Sequence, residues 1–174
     1  MRRLLQMCAA ALLMLGTPLA ASAQTAFADD DRSGLTSVGA LGGVQLDASD
    51  NWLLLGADAR LGISHGFEVE PRFTYQPLDG GHVAQFDANL LKNIELAHPG
   101  RLRPFFGVGG TLRQIGLDGG NGDTKLGINL VSGTRIALSA SSGYEPFVAG
   151  QYTIVRNQLN SFSVVVGASF AFGR

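Results

Sequence analysis

The sequence predicts an all-β fold, an eight-stranded antiparallel up-and-down transmembrane β-barrel, on three observations. The chain of 174 residues opens with an export signal. After it, apolar residues recur at every second position in segment after segment, the period of a β-strand. Only 16% of residues are charged and 45% are hydrophobic, against about 25% charged in ordinary soluble domains. So few charges would hardly cover a solvated surface.

The signal is read from Met1, Arg2 and Arg3, the mostly apolar run Leu4 to Leu15, the break at Pro18 and the small-x-small sequence Ala21-Ser22-Ala23, which predicts cleavage after Ala23. Residues 1–23 are therefore a signal peptide. Its apolar core falls short of the roughly 20 residues a membrane-spanning helix needs. The single cysteine, Cys8, lies inside it, too early to become the lipid-modified first residue of a lipoprotein. Disulfides and thiolate metal sites are thereby excluded from the mature chain. Losing Arg2 and Arg3 leaves 11 basic against 14 acidic residues, which is not a nucleic-acid footprint. Residues 24–33, with Asp29-Asp30-Asp31, contain little to bury and read as a loose, solvated leader. The barrel domain occupies residues 34–174.

Eight strands are expected in order. Gly34 to Leu46 is glycine-rich and of uncertain phase. Leu53 to Ile63 is clear, with Leu53, Leu55, Ala57, Ala59, Leu61 and Ile63 opposed to Gly56, Asp58, Arg60 and Gly62. The third repeats this, Phe67, Val69, Pro71, Phe73 and Tyr75 facing away from Glu68, Glu70, Arg72, Thr74 and Gln76. His82 to Ile94 alternates until Leu91 and Lys92. Phe105 to Ile115 and Lys125 to Leu138 follow; Tyr144 to Val155 is weaker because Phe147 falls among polar neighbours. The last strand sets Phe162, Val164, Val166, Phe170 and Phe172 on one face, with Val165 the misfit on the other. Pro71 would forfeit a ladder hydrogen bond, so a bulge is expected there. Turn chemistry separates the segments: residues 47–51, 79–81, 118–122 and 156–158 would close one end, and 64–66, 98–100 and 139–143 the other.

The polar faces collect Asp58, Glu68, Glu70, Asp87 and Glu145 with Arg60, Arg72, Arg113, Arg135 and Lys125. Eight strands enclose a space only wide enough for side chains to fill. Opposite charges there should pair across the lumen and plug it. A gated polar path or a proton relay is the functional alternative. His65, His82 and His98 fall in or beside turns at different ends, so a shared metal site is not expected. Gly107-x-Gly109-Gly110 lies in a strand pattern with no helix after it, and reads as close packing rather than a phosphate loop. No catalytic residue, cofactor or metal ligand is identified.

With export signal, period-two strands, an even strand count and an aromatic-rich final strand, residues 34–172 resemble the small eight-stranded outer-membrane barrels of the OmpX and OmpA transmembrane-domain type. The resemblance implies an outer-membrane location, lipid contact, recognition of the final strand by the barrel-insertion machinery, and a non-catalytic structural or surface-interaction role as a monomer. Gly173 and Arg174 after Phe172 depart from the usual aromatic terminus. Two other classes compete. A soluble periplasmic lipocalin-like barrel would turn the apolar faces inward around a hydrophobic ligand; alternation alone does not choose, but glycines and balanced charges on the polar faces suit a cramped lumen better. A lipid A-modifying outer-membrane enzyme would need a serine beside histidine, and the chain offers no such constellation.

Overall fold

In the computed structural model, which describes residues 34–46, 51–94, 101–117, 122–138, 143–155 and 160–172, eight strands close into one barrel. They are β1 (Gly34–Leu46), β2 (Asn51–Ser64), β3 (Phe67–Leu78), β4 (Gly81–Asn93), β5 (Leu102–Leu117), β6 (Asp123–Ile136), β7 (Tyr144–Val155) and β8 (Ser161–Ala171). Each pairs antiparallel with the next, and β8 returns to β1 from Ser37↔Ala171 to Leu46↔Phe162. Closure leaves no edge strand, which lets an all-β chain satisfy its backbone where water is excluded. The expected signal peptide, leader and His98 lie outside the described residues.

Gly34 and Phe172 lie at what we call the terminal end, with the β2–β3 turn. There His65 and Gly66 both take positive φ, 52° and 72°, the geometry of a tight two-residue hairpin. The β3–β4 turn closes the opposite, distal end. The bulge expected at Pro71 is absent. Pro71 pairs with Ala88 on β4, while on the β2 side the printed pairing passes from Asp58↔Arg72 to Leu61↔Val69 without changing register. The missing proline N–H is absorbed by a lapse in the ladder, not by an inserted residue. The irregularities fall instead between Leu35 and Ser37 and between Gly62 and Ser64.

Side chains alternate across the wall, and most of the apolar ones face out. Leu126 is 69% exposed, Leu55 and Val166 each 60%, and Phe106 and Val108 each 53%. Phe162, Phe170 and Phe172 of the final segment are exposed in the same way. Inside lie Leu41, Leu54, Leu91, Phe105, Val131, Phe147, Ala149 and Val165 as one buried apolar cluster. The residues that spoil the alternation, Leu91, Phe147 and Val165, therefore do so because they belong to the interior. Gly167 and Gly133 make that possible: a Cβ at either would meet the ring of Phe147 or Phe105 at 2.6 Å.

Candidate functional site: the charged lumen

Burial follows from strand parity. Asp58 and Arg60 on β2 share a face, as do Glu68, Glu70 and Arg72 on β3, and both faces turn inward. Glu70, fully buried, is the centre of this group. Its Oε1 lies 2.7 Å from Arg72 Nη2 and accepts a bond from Asn89 Nδ2 at 3.3 Å, while its Oε2 accepts from Arg60 Nε at 3.4 Å. Asp58 is looser, with Oδ2 4.0 Å from Arg60 Nη2 and neither oxygen accepting a hydrogen bond. Nearer the terminal end, Arg135 on β6 reaches across to Glu68 at 2.6 and 3.3 Å and donates to Asn93 Oδ1 at 3.0 Å. The Arg60 and Arg135 guanidiniums lie over the rings of Phe147 and Phe105, at 5.1 and 4.8 Å from the centroids. Charge and packing thus meet in the same layer.

The centre uses different partners. Asp87, fully buried on β4, accepts from Gln85 Nε2 at 2.9 and 3.1 Å, Asn129 Nδ2 at 2.9 Å and Gln151 Nε2 at 3.0 Å. Three neutral amides surround it where an arginine was expected. A carboxylate with that many donors is satisfied. Gln151 in turn accepts from Arg72 Nη1 at 3.2 Å, linking the two layers. Toward the distal end Arg113 donates to Gln85, Ser161 and Gln45, at 2.9, 2.9 and 3.3 Å. These bonds join β1, β4, β5 and β8, so opposite walls are tied together.

Two of the expected positions behave differently. Lys125 sits half-buried at the distal rim and pairs along its own strand with Asp123 at 2.6 Å, not across the lumen. Glu145 pairs with Arg103 at 3.4 Å, a residue that alternation does not mark because it precedes the Phe105 to Ile115 segment. Asn89, Asn129 and Gln151 were likewise missed as site residues. Their signal was present, since they share inward parity with Asp87, Gly127 and Ala149.

Among the described residues no cluster of three or more histidine, cysteine or acidic side chains has the geometry to hold a metal ion. His65 occupies a turn, and His82 stacks on Tyr75 outside the barrel.

Solved structures share the fold. Neisserial surface protein A superposes with a TM-score of 0.62 at 12% identity, over 79% of this chain and 96% of that one. The N-terminal β-barrel domain of Pseudomonas aeruginosa OprF gives 0.61 at 14%, over 80% and 99%. The fold is that of a small eight-stranded outer-membrane barrel. Ail, the attachment invasion locus protein of Yersinia pestis, crystallised with the heparin analogue sucrose octasulfate, gives 0.51 at 11%, over 79% and 97%. No protein-family model and no curated protein sequence matches the chain. At these identities the likeness concerns the fold.

Proposed function

We propose that this chain is a non-catalytic integral outer-membrane protein whose lumen is plugged by its own side chains, with a structural or surface-interaction role. The observation that carries the reading is the inversion of a soluble protein: large apolar side chains on the outer surface, with arginines and carboxylates buried inside. In water such a surface would drive association, whereas in hydrocarbon it is the stable one. The same parity speaks against the lipocalin-like alternative, which needs an apolar interior to hold its ligand. Cross-lumen bonds from Arg72 to Gln151, Arg113 to Ser161 and Arg135 to Glu68 support the plug.

An even strand count puts the start of β1 and the end of β8 on one side, which in outer-membrane barrels is the periplasm. The distal end is then external, with short connections. On this reading β8 and the residue after it carry the insertion address on Phe162, Val164, Val166, Phe170 and Phe172, and the barrel works as a monomer in lipid. The test is expression of the full chain in a bacterium with an outer membrane, followed by fractionation and gels run with and without boiling. Outer-membrane partition and a heat-dependent shift in mobility are expected. Recovery as a soluble periplasmic protein would reject the reading. Planar-bilayer recordings check the plug: wild type should show no steady conductance, and an open channel would reject it.

A further inference from the structure

The outer surface differs around the distal rim. There β1, β2, β7 and β8 present Leu46, Leu53, Leu55, Tyr152, Ile154 and Phe162. Strands β3 to β6 present Tyr75, Pro77, His82, Gln114 and Thr124 in their place. Register makes the four that carry hydrogen-bonding groups contiguous, with Pro77 directly opposite His82. Gln114 lies directly opposite Thr124, His82 opposite Gly116 two residues from Gln114, and Tyr75 opposite Ala84 two residues from His82. Gln114 and Thr124 are exposed, as is Tyr75.

The patch has a built centre. The Tyr75 and His82 rings stack with centroids 5.6 Å apart and planes 25° apart. His82 lies against Gly116, where an added Cβ would collide with two atoms of the imidazole, at 2.4 and 2.7 Å. Glycine at 116 thus gives the ring its seat. Beside this plate stand an amide that donates and accepts and a hydroxyl that does both. The cation adjoining Thr124, Lys125, has inward parity and pairs with Asp123. A flat ring pair edged by neutral hydrogen-bonding groups suits a pyranose, whose C–H face can lie on the rings while its hydroxyls bond at the edge. It suits an anion poorly. Polar groups on an otherwise apolar outer face, continuous with the lipid belt, belong at headgroup level.

We propose that Tyr75, His82, Gln114 and Thr124 form a docking surface for the saccharide headgroup of an outer-leaflet glycolipid. The assignment rests on the membrane orientation given above. The test compares full-length wild type, the double variant His82→Ala/Gln114→Ala, and Gly116→Val, which unseats the imidazole while leaving the polar groups in place. Each is incorporated in vesicles of phosphatidylcholine with lipopolysaccharide, extracted in mild detergent, and its retained lipid counted by native mass spectrometry. Both altered proteins should retain lipopolysaccharide about tenfold less, corresponding to about 1.4 kcal/mol. Phosphatidylcholine retention and the heat-dependent gel shift should be unchanged, and Ile154→Gln on β7, opposite Ile128 and away from the four residues, should behave as wild type. Wild-type-like retention in either folded variant would overturn the proposal. So would retention by wild type that is lost when the glycolipid's phosphates are removed, since that would assign the contact to the anion. Absence of the gel shift in wild type itself would instead overturn the barrel reading on which the proposal stands.

Discussion

Near the terminal end of the lumen, guanidinium groups meet carboxylates and lie on phenylalanine rings, whereas at the centre and toward the distal end amides and hydroxyls carry the contacts. Glu70 is held by Arg60, Arg72 and Asn89, and Arg135 by Glu68 with Phe105 beneath it. Asp87 rests among Gln85, Asn129 and Gln151. The first arrangement concentrates charge and depends on each partner, because removing one leaves an opposite charge buried. The second spreads one charge over several dipoles, so each donor matters less. Both fill the same narrow space, but they should fail by different amounts.

That difference can be broken from the charged side first. Glu70→Leu leaves the Arg60 and Arg72 guanidiniums without their shared carboxylate, and should cost about 3–5 kcal/mol in urea unfolding of the detergent-refolded barrel followed by gel shift. Adding Arg72→Met to that variant should recover part of the loss; if the double variant is worse than the sum, the pairing account is wrong. Phe147→Ala removes the ring under Arg60 and opens a void in the apolar cluster, and about 3–4 kcal/mol is expected by the same assay. A smaller effect, about 1–3 kcal/mol, should follow Gln85→Leu, which takes one donor from Asp87 and an acceptor from Arg113. If this substitution equals Glu70→Leu, the two halves are not distinct. The smallest is Lys125→Ala: its partner Asp123 is exposed at the rim, so less than about 1 kcal/mol is expected, fading as salt is added.

How far the lumen could be read in advance varied with how local its cause is. Arg60, Glu70 and Arg72 were legible because inward parity along one strand is a property of that strand alone. Arg103 was not, because it falls beyond the segment whose alternation marked the strand. The partners of Asp87 were not legible either: Asn129 and Gln151 lie 42 and 64 residues away in the chain, and barrel shear, rather than any local pattern, selects which walls meet.

Pro71 makes a related point. Its lack of an N–H is a fact of the sequence, but whether a chain responds with a bulge or with a skipped bond depends on the neighbouring strands. Here β4 holds the register through Pro71↔Ala88, and the ladder with β2 simply lapses.

By itself the sequence determined eight strands, their order and, for all but the glycine-rich first, the two faces of each, since period two and turn chemistry are written residue by residue. Alternation is symmetric under exchange of inside and outside, however, so it could not say which face encloses the lumen. What decided it is which side chains the closed barrel buries. Once β8 meets β1, the enclosed space has room for Gly167, Gly133, Phe147 and a mesh of arginines and amides, and most of the large apolar side chains are left on the outside.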